Sequence, residues 1–163
     1  MEIALVAFKC LKRCLPPKKM REFHFRCGLH SFLTHVKSAI DNFSEEINLL
    51  YEIDATLAGK GKTMSIGKLL KNKENKKKLR QKNHQLFIEI SKATKTKWFT
   101  DLTTLRNEEA VHGAISGKKW QAIIGGGSPI VKLGMKDVSD FATWCPHVLK
   151  ETNNFLEKCY QQI

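Results

Sequence analysis

The sequence predicts an all-α protein, a helical bundle of about four to five helices with a glycine-rich loop or small hairpin before the last one. Apolar residues recur three and four positions apart over long stretches, the pattern of amphipathic helices. Runs that could form strands are confined to one short segment. Helix-breaking clusters fall between the periodic stretches: Pro16-Pro17, Gly59-Lys60-Gly61-Lys62, and the glycines from Gly113 to Gly134. The 163 residues suit one domain, able to bury roughly two-thirds of the unfolded chain's surface.

Residues 2–14 read as a short helix stopped by Pro16-Pro17. The next helix, expected from about Lys18 to about Ile53, carries the clearest seam: Leu29, Phe32, Val36, Ile40, Phe43, Ile47 and Leu50. A polar stripe (Thr34, Ser38, Asp41, Glu45, Asn48) keeps the same rhythm and is either wet or a polar helix–helix contact. Ser65 can cap a short turn through Leu70. The lysine-rich stretch after it leads into an amphipathic helix with Leu79, Leu86, Ile90 and Ala93 inward. Trp98, Leu102 and Leu105 continue the pattern in a helix that ends near His112-Gly113.

Six of the ten glycines lie between Gly113 and Gly134. There Trp120–Ile124 and Ile130–Leu133 could pair across Gly125-Gly126-Gly127-Ser128 as a small hairpin. The last helix opens with Asp137-x-x-Asp140 as a cap. Its inner face is Val138, Phe141, Cys145, Val148, Phe155 and Cys159, and Pro146 kinks it or marks its first turn.

The net charge of +12 is concentrated. From Gly59 to Lys97 there are 13 Lys or Arg against two acids, Glu74 and Glu89, an excess of +11 that leaves +1 for the rest of the chain. Such a block attracts polyanions through phosphate contacts and counterion release. Lys71, Lys73, Lys76, Lys77, Lys78, Arg80 and Lys82 are its densest part and the expected RNA-binding residues. Aromatics for base stacking are few, Phe87 within the block and Trp98 just after it, so general attraction is expected rather than sequence readout. The competing view is a solvated lysine-rich face that serves solubility.

Other classes fall away. No apolar run is long enough to cross a bilayer. Lys9, Lys12 and Arg13 interrupt the N-terminus, which lacks the order of a secretory signal. A cytoplasmic, membrane-free protein is expected. The five cysteines (Cys10, Cys14, Cys27, Cys145, Cys159) are odd in number and form no disulfide framework. Cys10 and Cys14 stand at i,i+4 but lack a second close pair of the zinc-site type, so free buried thiols are the better reading. No phosphate-cradling glycine motif, zinc-protease motif or glycosidase-type carboxylate pair is present. No metal or cofactor is expected.

The most informative stretch is Leu105-Arg106-Asn107-Glu108-Glu109-Ala110-Val111-His112-Gly113. Arginine offers a fixed charge and a forked donor for phosphate. Histidine can give or take a proton near neutrality, and asparagine can hold either group or a ligand in place. The plain alternative is helix-stop chemistry: His112 meets terminal carbonyls, Gly113 supplies a left-handed cap, and Arg106 pairs with Glu109 at i,i+3.

These residues give the chain a resemblance to the HEPN superfamily, small helical-bundle proteins, usually dimers. The family is marked by arginine, a polar residue, a short spacer and histidine late in a helix. Here the motif reads Arg106-Asn107, four residues, His112. The run Phe32-x-x-x-Val36-x-Ser38-x-x-Asp41-x-x-x-x-Glu46-Ile47-Asn48 is similar to the long early helix of one prokaryotic branch. The resemblance covers residues 18–160. It implies a metal-independent endoribonuclease, a toxin or defence-system component, with two motif copies meeting across a homodimer and an antitoxin or other protein as partner. Some members are inactive and act as binding or scaffold domains.

The residues suit that chemistry. When a 2′-hydroxyl attacks the adjacent RNA phosphate, the reaction needs proton transfer and stabilisation of extra negative charge. His112 would be the acid or base, Arg106 would neutralise the phosphorane, and Asn107 would position one of them. Positions i and i+6 of a regular helix lie about 120° apart. Arg106 and His112 of one chain therefore converge poorly unless the helix end unwinds or a second subunit completes the cleft. Two alternatives stay open: a non-catalytic helical module binding RNA, nucleotide or protein, and a structural bundle in which Arg106 and His112 finish a helix.

Overall fold

In the computed structural model, the described residues are 6, 9, 22–54, 64–110 and 141–163, with the backbone alone at 22–27, 107–110 and 141–143. The protein is all-α. Among the described residues six helices are bounded and no strand occurs: α1 Glu22–Tyr51, α2 Ile66–Lys71, α3 Lys73–Lys82, α4 His84–Ala93, α5 Lys97–Ala110 and α6 Phe141–Tyr160. Most of the expected N-terminal helix, the Gly59–Lys62 loop, the 113–134 hairpin and the Asp137-x-x-Asp140 cap lie outside the described residues.

The chain forms two compact units, residues 1–37 with 97–150, and residues 38–96 with 151–163. In the first, Leu29, Phe32, Leu33 and Val36 of α1 are buried, as are Trp98, Phe99, Leu102 and Leu105 of α5 and Trp144, Cys145 and Val148 of α6. Phe32 meets Trp144 edge to face with centroids 6.2 Å apart, a geometry that matches the positive ring edge to a negative face. In the second, Ile40, Phe43 and Ile47 are buried along with Leu69, Leu79, Leu86, Ile90 and Phe155. Phe43 contacts both Phe155 and Tyr160 edge to face, at 5.8 and 5.1 Å.

The seam of α1 is buried from Leu29 to Ile47, but Leu50 is 55% exposed and not part of it. The helix ends one residue later, so the face Leu50 would have extended is lost. Glu52 takes a left-handed φ of 49°, and the Ile53 amide returns to the Asn48 carbonyl at 3.2 Å. This six-to-one bond is the Schellman termination, with buried Ile53 as its apolar contact. The lower polar stripe serves the same end. Asn48 is buried and its Oδ1 accepts from the Asp54 amide at 2.8 Å, while Glu45 accepts from the Met64 amide. Pro146 lies inside α6.

Candidate functional site

From Ile66 to Ala93 the basic segment folds as three short helices, with an asparagine at each of the two joints between them. Ser65 caps α2, its Oγ accepting from the Lys68 amide at 3.3 Å. Asn72 then ends α2 and starts α3, its Oδ1 accepting from Glu74 and Asn75 amides at 2.9 and 3.3 Å. Asn83 ends α3 and starts α4, its Oδ1 accepting from the Leu86 amide at 3.0 Å. The single helix expected through Leu79 and Leu86 is thus two. Extended backbone at each asparagine breaks the ladder, and its side chain satisfies the next helix's orphan amides. Leu79, Leu86 and Ile90 still face inward, and Ala93 is half-buried.

Burial of Leu69, Leu79, Leu86 and Ile90 turns the cations outward. Lys71, Lys73, Lys76, Lys77, Arg80 and Lys82 are all exposed. On α3, Lys73, Lys76, Lys77 and Arg80 fall at i, i+3, i+4 and i+7, one face of a helix. Like charges at these spacings repel, by ~0.2–0.5 kcal/mol per pair, and a polyanion on this face would relieve that cost. Lys78 differs. It is half-buried, its Nζ donates to the Ile53 carbonyl at 3.0 Å and lies 3.8 Å from Glu74, so its charge is engaged within the fold.

Clefts open on this unit among the described residues. One, of about 610 Å³, is lined by Asp54, Ser65, Gly67, Lys68, Lys71, Asn72 and Asn75. Another, of about 350 Å³, includes Leu70, Lys76, Phe87, Ile88, Lys92 and Lys95 in its lining. Lys76 Nζ stands 5.9 Å from the Phe87 ring centre, a cation–π distance. Exposed His84 stacks on the same ring at 6.5 Å, with 26° between planes. Lys92 is partly neutralised by Glu89 at 3.0 Å.

The candidate catalytic residues are only partly on view. Arg106 is half-buried, one residue past buried Leu105 on α5. Asn107 follows it as helical backbone, and the described part of α5 runs to Ala110. His112 lies outside the described residues, as does the side chain of Asn107. Arg106 and Asn107 are thus placed on α5, and the convergence of the three groups lies outside the described residues.

Among the described residues two thiols, Cys145 and Cys159, are buried. Burial pushes the Cys145 thiol far up. Burial, and then the Glu89 carboxylate, push Cys159 up to about 12. Neither is a thiolate near neutrality, so neither is poised as a nucleophile or ligand. Among the described residues no cluster of three or more His, Cys, Asp or Glu could hold a metal. No helix of the described residues is long and apolar enough to cross a membrane.

Comparison with protein-family models, curated proteins and solved structures finds no match to this chain.

Proposed function

We propose that this protein acts on RNA, as an endoribonuclease of the HEPN type that holds its substrate on the basic surface of α2–α4. The observation that carries the RNA part is the outward set of six exposed cations on two adjoining short helices. Phosphate contacts of this kind supply salt-dependent affinity without sequence preference. Cleavage rests on the motif: Arg106 and Asn107 lie on α5, and His112 follows Arg106 by six positions in the sequence.

In this reading the substrate's 2′-oxygen forms a bond to phosphorus while the bond to the 5′-oxygen breaks. A cyclic phosphate and a 5′-hydroxyl result, with no net redox change. His112 takes the 2′-hydroxyl proton or gives one to the leaving oxygen, worth ~10²–10⁴-fold. Arg106 faces the phosphorane's added charge. A homodimer supplies the second copy of each group, and an antitoxin or other protein partner would act by covering the cleft.

End-labelled RNA incubated with the full chain in EDTA tests this. Wild type should cut and leave cyclic-phosphate ends, while Arg106→Ala and His112→Ala should not. Equal cutting by all three would discard the catalytic assignment. Salt-sensitive RNA retention without cutting favours a non-catalytic RNA-binding module, for which the α3 surface is the specific support.

A further inference from the structure

The Phe87 cleft combines features that the rest of the basic surface lacks. Three cations, Lys76, Lys92 and Lys95, line it together with the Phe87 ring, which is only half-buried. Phe87 points away from the line of Leu86 and Ile90, which carry the burial of α4. An apolar ring left at the rim of a lysine cleft leaves apolar surface in water, and Lys76 and His84 cover it only in part, at 5.9 and 6.5 Å from its centre. Both covering side chains are exposed, so both can move aside at small cost. The volume of about 350 Å³ admits one nucleotide rather than a duplex. Paired bases hide their faces inside a stack, whereas an unpaired base offers a π-face to any ring.

From this we infer that the cleft is a stacking site for one base of a single-stranded nucleic acid, Phe87 receiving the base and Lys76 and Lys95 the flanking phosphates. Glu89 holds Lys92, which leaves the other two ammonium groups as the phosphate partners. The inference rests on the RNA reading above and narrows it to unpaired strands. Sequence preference is weak, because every base has a stacking face. Lys76 exchanges its contact with the ring for a phosphate, and His84 can add a second ring beside the base.

The test is a two-by-two cycle on the full chain, read by anisotropy of a labelled 12-nucleotide RNA at fixed salt. Wild type and Phe87→Leu are each titrated with the intact strand and with the same strand carrying consecutive abasic sites. Wild type should prefer the intact strand by about fivefold or more, and Phe87→Leu should abolish that preference. Phe87→Trp should restore it, which separates loss of the ring from loss of the fold. Equal preference in wild type and Phe87→Leu overturns the stacking site while the RNA reading stands. Absence of salt-sensitive binding by wild type to either strand overturns both. A duplex bound as tightly as the intact single strand also removes the inference.

Discussion

Asn83 Nδ2 donates to the Tyr51 hydroxyl at 2.9 Å, which ties the joint between α3 and α4 to the last residue of α1. The same nitrogen donates to the Gln162 carbonyl at 2.7 Å, near the end of the chain. Its Oδ1 meanwhile caps α4. One side chain therefore joins three parts of the chain that lie far apart in sequence.

Asn83→Ala removes a cap and two further hydrogen bonds. The expected loss is about 2 kcal/mol, from ~1 for the cap and ~0.5–1.5 for each bond, discounted because the site is partly exposed. Asn83→Asp keeps the cap oxygen but not the donors and should lie between. Urea unfolding of the three proteins, with equal m-values, measures it. An alanine variant within 0.5 kcal/mol of wild type, on the order of a neutral surface change, would show the joint to be unimportant.

Thr152 sits in the buried face of α6 between Val148 and Phe155, and its hydroxyl makes no hydrogen bond. A buried hydroxyl without a partner costs on the order of 1–3 kcal/mol. Thr152→Val keeps the shape and should raise stability by about 1 kcal/mol, seen as a higher urea midpoint. A drop of that size would mean that the hydroxyl is satisfied in solution.

Glu52 holds a left-handed conformation that glycine adopts without a Cβ clash. Glu52→Gly should therefore stabilise the α1 terminus by about 0.5–1 kcal/mol despite the added freedom of the unfolded chain. Thermal unfolding is the check, and a lower Tm would argue against the termination described.

Alkaline pH should weaken the fold through its thiols. Burial raises Cys145, and burial with Glu89 raises Cys159, so both stay protonated when the unfolded chain ionises. Their contribution is complete below the ordinary thiol value and is lost as pH rises from about 8.5 toward the raised folded values. Wild type should lose more stability between about pH 8 and pH 10 than a Cys145→Ala, Cys159→Ala double variant measured over the same interval. Parallel curves would contradict the buried, neutral state of the two thiols.

If α3 is the polyanion surface, Lys73→Gln, Lys77→Gln and Arg80→Gln together should flatten the salt dependence of RNA binding. Each lost phosphate contact lowers the slope of log K against log salt by about 0.7 for a single strand. Lys78→Gln should leave that slope unchanged and cost stability instead, since its ammonium holds the Ile53 carbonyl.

Helix class and most of the core were legible because burial follows the 3.6-residue repeat, as the run from Leu29 to Ile47 does. Helix ends were less so. Leu50 continues the repeat in sequence, yet the chain leaves the helix at Glu52 through a residue that carries no stop signal. The division at Asn72 and Asn83 was hidden because lysine, glutamate and glutamine favour helix on either side, and one asparagine between them is a weak break until its side chain is seen to cap. At the candidate site, Lys73 and Arg80 could be read from charge alone. The engagement of Lys78 could not, since its carbonyl partner lies 25 residues away. Phe87 was visible as the block's aromatic, but its place beside His84 and Lys76 depends on the turn made at Asn83.

The joints at Asn72 and Asn83 have no slack, since one residue closes each helix and opens the next. Substitutions among the outward lysines leave that arrangement intact, but a change of length would not. One residue inserted into α3 would turn everything beyond it by about 100°, carrying Leu79 from the core toward water and a lysine into its place. The fold itself tolerates point changes on the basic surface, while the number of residues between the two asparagines is held fixed by the core beneath.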